Sequence, residues 1–120
     1  MKSYKDLIVW QKSVNLCVEV YKTTEKFPKS ELYGLINQIR RCSVSIPSNI
    51  AEGQKREHLK EFIQFLRIAY GSGAELETQL VIAQKIGYLK TNEFSNLNSI
   101  LEEIMKMLNK LINSSLRTTN

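Results

Sequence analysis

Four stretches of this chain repeat apolar residues every three or four positions, and no stretch alternates apolar with polar residues as a half-buried strand does. That periodicity restricts the fold to helices. With 120 residues the chain suits one domain, read as residues 1–120, and only 2 prolines and 5 glycines interrupt it. No apolar run exceeds the length of Leu7-Ile8-Val9-Trp10, far below the roughly 20 residues of a membrane span. The first residues carry no signal-peptide pattern, so a cytoplasmic protein is expected.

The first helix is expected from about Asp6 to Lys26, with Leu7, Trp10, Val14, Cys17, Tyr21 and Thr24 on its buried stripe. Ile8, Val9, Leu16, Val18 and Val20 fall outside that stripe. A helix with one wet face should be less apolar. It is therefore either central or meets another subunit. Phe27-Pro28-Lys29-Ser30 ends it, and Ser30 is expected to cap a second helix over Glu31 to about Glu52. The second stripe is Leu32, Leu35, Ile36, Ile39, Cys42, Ser43, Ile46 and Ile50. Pro47 predicts a kink or break near Ser45, because it removes a donor and crowds the Ser43 carbonyl. Gly53 is expected to end the helix in the left-handed conformation.

A third helix is expected from about Glu57 to Ile86, ended by Gly87. Gly71-Ser72-Gly73-Ala74 lies inside it, where small residues suit a close helix crossing; a β-turn there is the alternative. The fourth runs from about Asn92 to Ser115, striped by Phe94, Leu97, Leu101, Ile104, Leu108 and Leu111, with a fraying tail after it. Four helices with short links predict an all-α, antiparallel up-and-down four-helix bundle.

Catalytic and metal chemistry lack their residues. Two isolated cysteines, Cys17 and Cys42, read as buried thiols, and the single histidine, His58, cannot build a di-metal site. Neither a nucleophile elbow nor a phosphate-binding glycine loop is present. Glu75 and Glu77 diverge by about 200° on a helix and cannot share a substrate. No catalytic residue, metal ligand or cofactor is assigned.

Charge offers more. The formal net charge is +5, which favours polyanionic partners. Six of the seventeen basic residues, Arg40, Arg41, Lys55, Arg56, Lys60 and Arg67, fall in one stretch. Arg56, Lys60, Gln64 and Arg67 take i, i+4, i+8 and i+11 spacing, which places them on one helical stripe able to bridge phosphates. The same row also fits a solvated helix face with Glu57 and Glu61 as partners. Aromatic residues do not interleave with it, so base stacking is not expected.

Several runs carry a resemblance. They are Asp6-Leu7-x-Val9-Trp10-Gln11-Lys12, Phe27-Pro28-x-x-Glu31-x-x-Gly34-Leu35, and above all Gln38-Ile39-Arg40-Arg41-Cys42-Ser43-x-Ser45-Ile46-Pro47-Ser48-Asn49-Ile50-Ala51-Glu52-Gly53. Phe62-x-x-Phe65-Leu66-x-Ile68-Ala69-Tyr70-Gly71-Ser72 and Glu75-Leu76-Glu77-Thr78-Gln79-Leu80 follow. Over nearly its whole length the chain resembles the bacterial four-helix-bundle proteins encoded in intervening sequences of large-subunit ribosomal RNA genes. Cys42 departs from the small residue commoner there. The resemblance implies a ring-like homopentamer and kinship with the accessory variability proteins of diversity-generating retroelements, which bind a reverse transcriptase and nucleic acid. On that reading Ile8, Val9, Leu16, Val18 and Val20 form the subunit interface. Ser45, Asn49 and Glu52 then either hold the Pro47 kink and a helix contact or meet a ligand directly. The expected function is non-catalytic nucleic-acid binding by a closed homo-oligomer, RNA before DNA, through the six basic residues. The alternative is a ring that docks a protein such as a reverse transcriptase.

Overall fold

The computed structural model describes residues 3–119. Its four α-helices are α1 (Ile8–Thr24), α2 (Leu35–Lys55), α3 (Leu59–Lys85) and α4 (Thr91–Thr119), with 3-10 turns at Tyr4–Asp6 and Lys29–Glu31. Each helix packs on its neighbours in the chain, and α1 closes the ring of contacts on α4. Among the described residues the diagonal pairs do not touch, so the molecule is a four-cornered antiparallel bundle of 48 × 21 × 20 Å. Its axis is filled by Leu16, Val20, Ile39, Ile46, Ile50, Leu66, Leu76, Leu80, Leu97, Leu101, Ile104 and Leu108, all fully buried.

The buried stripe of α1 is not the one its apolar spacing suggests. Val9, Ser13, Leu16, Val20 and Thr24 face the core. The pattern was obscured by two hydroxyls. Ser13 Oγ donates to the Val9 carbonyl at 2.6 Å and Thr24 Oγ1 to the Val20 carbonyl at 2.8 Å, so both are satisfied within their own helix and enter the core without an orphaned donor. The helix is rotated accordingly. Leu7, Trp10, Val14 and Cys17 lie half-buried at its flanks and Tyr21 is exposed.

Helix α2 starts four residues later than expected. Ser30 sits in the 3-10 turn, and Gly34 precedes the helix with φ −110° and ψ −112°. The Leu35 N–H donates to Glu31 Oε1 at 3.3 Å, so a glutamate replaces the serine as cap. Leu32, expected on the buried stripe, is 45% exposed. The helix then runs unbroken through Pro47. Proline leaves the Ser43 carbonyl without its i+4 donor. The Cys17 thiol of α1 donates to that carbonyl at 3.0 Å and fills the gap. Gly53 does not end the helix. It is buried within it, and a Cβ there would lie 2.6 Å from Phe65 Cβ, so α2 and α3 meet backbone to side chain at this point. The reversal is made instead at Glu57, with φ 61°.

Helix α3 is continuous through Gly71–Ala74, which removes the β-turn alternative. Gly73 is the close-crossing residue: the space of its missing side chain is taken by Met105 and Leu101 of α4. Gly87, at φ 88°, ends the α3 segment as expected. Helix α4 continues to Thr119 rather than fraying after Ser115, because Ile112 and Ser115 remain buried against the bundle.

Candidate nucleic-acid interface

The six basic residues do not form one row. Arg56 lies past the last residue of α2, in the link, so the i, i+4 relation to Lys60 is not helical. Its guanidinium donates to Glu52 Oε2 at 3.0 Å and sits 5.1 Å from the centroid of the Phe65 ring. Lys60, Gln64 and Arg67 do share an exposed stripe of α3. Lys55 is exposed at the end of α2, beside them.

Arg40 and Arg41 part company, as neighbours on a helix must. Arg40 turns toward α1, its side chain 20% exposed. Nε donates to Thr24 Oγ1 at 2.9 Å, and Nη2 donates to the Tyr21 carbonyl at 3.3 Å and to Glu25 Oε2 at 3.2 Å. The guanidinium also lies 4.5 Å from the Tyr21 ring centroid. With Nε, Nη2 and one face of the guanidinium engaged, Arg40 is a strut between α1 and α2 and leaves the candidate interface. Arg41 points outward beside a groove between α2 and α3.

The topology adds cations that sequence proximity hides. Short links bring the start of α1, the end of α2, the start of α3 and the end of α4 to one end of the bundle. There Lys5, Lys110 and Arg117 join Lys55, Arg56, Lys60 and Arg67. Only Arg56 of these seven is in an ion pair among the described residues. The opposite end also holds seven cations, but three of them, Lys22, Lys26 and Arg40, are paired with Glu19, Glu93 and Glu25. Each end carries four carboxylates, so the ends match in net charge and differ in how many cations are free to meet a phosphate. The middle is acidic, with Glu75, Glu77, Glu102 and Glu103 against Lys12 and Lys106. Exposed cations of this kind supply salt-dependent contacts to phosphate and little sequence information.

A model of the 23S rRNA-intervening sequence protein family matches residues 5–110. The chain belongs to this family. A crystal structure of a protein of unknown function from the S23 ribosomal protein family of Bacteroides thetaiotaomicron superposes with a TM-score of 0.82. The two are 25% identical, over 88% of this chain and 96% of that one. Comparison with curated proteins gives no match.

The residues expected at a subunit interface divide. Val9, Leu16 and Val20 are 3%, 0% and 0% exposed within the single chain, so they fill its own core and cannot reach a partner. Ile8 and Val18 remain exposed, at 58% and 46%. Other exposed apolar side chains are not singled out by sequence: Tyr33 in the turn before α2, Val44 on α2, Ile68 and Ile82 on α3, and Ile86 just past its end. The last three recur at 14 and 4 residues, one stripe of a helix, which is the signal a search for second apolar faces would have needed. Among the described residues no cluster of His, Cys, Asp and Glu could hold a metal ion, and no helix is long and apolar enough to cross a membrane.

Proposed function

We propose that this chain is a non-catalytic RNA-binding protein of the cytoplasm that acts as a closed homo-oligomer, a pentamer on the family resemblance. The observation that carries the reading is the end of the bundle where Lys5, Lys55, Lys60, Arg67, Lys110 and Arg117 stand exposed with no carboxylate partner among the described residues. Membership in a family named for intervening sequences of 23S rRNA supports RNA as the polyanion. In a ring this end repeats once per subunit, and multivalency can raise avidity by roughly 10²–10⁴ without new contacts. The exposed faces of α1 and α3, bearing Ile8 and Val18 on one and Ile68 and Ile82 on the other, supply two different apolar surfaces, the arrangement a head-to-tail ring needs.

The test is a salt series with a structured RNA. Wild-type affinity falls steeply with salt, and the triple variant Lys55→Glu, Lys60→Glu, Arg67→Glu lowers the slope of log K against log salt by about 2–3, one per lost phosphate contact. An unchanged slope sinks the reading. Light scattering reads the assembly, for which a monomer of 13.9 kDa at micromolar concentration is the excluding result.

A further inference from the structure

Beside Arg41 the seam between α2 and α3 opens into a groove of ≈ 380 Å³. Every side chain lining it is polar except Cys42. Its two walls differ in kind. From α2 comes a charged donor, the Arg41 guanidinium, and from α3 a charged acceptor, the Glu75 carboxylate, while the amides of Asn37, Gln38 and Gln79 can each donate and accept. Ser45 Oγ and Ser72 Oγ join the walls at 2.8 Å. Gln79 Oε1 is buried and accepts no hydrogen bond, while its Nε2 donates to Cys42 Sγ at 3.4 Å. The thiol in turn donates to Glu75 Oε2 at 3.4 Å, an ordinary length for sulfur. Gln79 Oε1 lies beneath the groove surface, like Asn98 Oδ1 elsewhere in the bundle, so the groups a ligand can reach here are the exposed Arg41 and Glu75.

We propose that this groove holds an unpaired guanine base of RNA. The proposal rests on the RNA-binding reading and adds what that RNA must present. Opposed Arg41 and Glu75 favour a neutral group with donors on one side and acceptors on the other. Guanine places two acceptors, O6 and N7, side by side, the pair an arginine takes bidentately. On the adjoining edge it places two donors, N1–H and the 2-amino group, a pair that the two oxygens of the Glu75 carboxylate can accept. The other bases offer no such pair of neighbouring donors. Both edges are free only in single-stranded or bulged RNA, where proteins read base edges. A docked protein helix fits less well, because the centre of a protein interface is depleted in charge. Val44, within a turn of Arg41, is exposed and offers aliphatic contact to a base plane.

Fluorescence anisotropy decides it, with labelled U-rich 12-mer RNAs that carry guanosine, inosine or adenosine at the same two positions. Inosine lacks only the 2-amino group. Wild type is expected to bind the guanosine RNA about tenfold tighter than the other two, within the range of one good bidentate base contact. Glu75→Gln, an exposed and isosteric change, removes that preference and keeps salt-dependent binding. Lys60→Ala with Arg67→Ala weakens all three RNAs and keeps the preference. Equal binding of the three RNAs by wild type, with salt dependence intact, overturns the groove assignment and leaves RNA binding standing. Absence of salt-dependent binding to any of them overturns both. If Glu75→Gln changes the mass seen by light scattering and leaves the guanosine preference intact, the groove is a subunit contact and the proposal is wrong.

Discussion

Helix α2 makes a seam on each side, and the two are finished differently. Toward α1 a thiol, a hydroxyl and a guanidinium are all engaged. The Cys17 thiol donates to the Ser43 carbonyl, Ser43 Oγ donates to the Arg40 carbonyl at 2.8 Å, and Arg40 ties down Thr24, the Tyr21 carbonyl and Glu25. Toward α3 the Cys42 contacts with Glu75 and Gln79 are both 3.4 Å and one buried oxygen is empty. The first seam holds the fold together, since charge-assisted and proline-completing bonds are costly to lose. The second leaves the exposed charges of Arg41 and Glu75 outside any ion pair among the described residues.

The largest expected effect separates two adjacent arginines. Arg40→Ala removes three hydrogen bonds from a guanidinium that is mostly buried, and hydrogen bonds to charged groups contribute about 1.5–3 kcal/mol. Urea denaturation should show a loss of about 2 kcal/mol. Arg40→Lys recovers little of it, because an ammonium cannot fork between Thr24 and Glu25 while covering the Tyr21 ring. Arg41→Ala, in the open seam, stays within about 0.5 kcal/mol of wild type. Equal losses at the two positions would erase the distinction between the seams.

A smaller effect sharpens the same comparison. Cys17→Ala leaves the Ser43 carbonyl, already deprived of a donor by Pro47, with no partner. The cost of an unmet buried acceptor is about 1–3 kcal/mol. Pro47→Ala restores an N–H at position 47, and in that background Cys17→Ala should cost about 1 kcal/mol less than alone. A double-mutant cycle by chemical denaturation measures that coupling. Strict additivity would mean that the thiol is not completing the proline gap.

How much of this the sequence shows depends on whether the deciding signal is local. The stripes of α2, α3 and α4 are apolar at nearly every inward position, so spacing finds Ile39, Leu76 and Leu101 directly. In α1 the inward stripe contains Ser13 and Thr24, whose hydroxyls are neutralised by carbonyls one turn back, and apolar spacing points to the wrong face. The same spacing assigns Val9, Leu16 and Val20 to a subunit interface they cannot reach. That Arg40 and Arg41 cannot both point outward is legible from helical geometry; which one turns inward is not. Lys5, Lys110 and Arg117 join Lys60 only because the topology brings both chain ends to one place. The open seam needs positions 38–45 facing 72–79, a register set by the helix pairing and not by any local pattern.

The smallest effect concerns chemical reactivity at the two seams. Burial pushes both thiols above their ordinary value, with Ser43 lowering Cys17 in part and Gln79 lowering Cys42 in part. For Cys42 the neighbouring Glu75 carboxylate raises it further. The thiolate is the nucleophile, so both residues should react with iodoacetamide more slowly near neutral pH than a small free thiol does. Their rates should go on rising through the alkaline range, after a free thiol has levelled off. The linked stability has the matching sign. A raised folded-state value favours the neutral thiol, so the contribution is complete below the unfolded-state value and is lost as pH climbs through the folded-state one. Cys17 lies behind the paired seam and Cys42 lines the groove, so Cys42 should be the faster of the two, measured by mass spectrometry of peptides after timed alkylation. A guanosine-bearing RNA held at saturating concentration should then slow Cys42 and leave Cys17 unchanged, because only Cys42 shares a surface with the ligand. Equal protection of both cysteines would point to general tightening of the bundle, and protection of neither would place the RNA away from the α2/α3 seam.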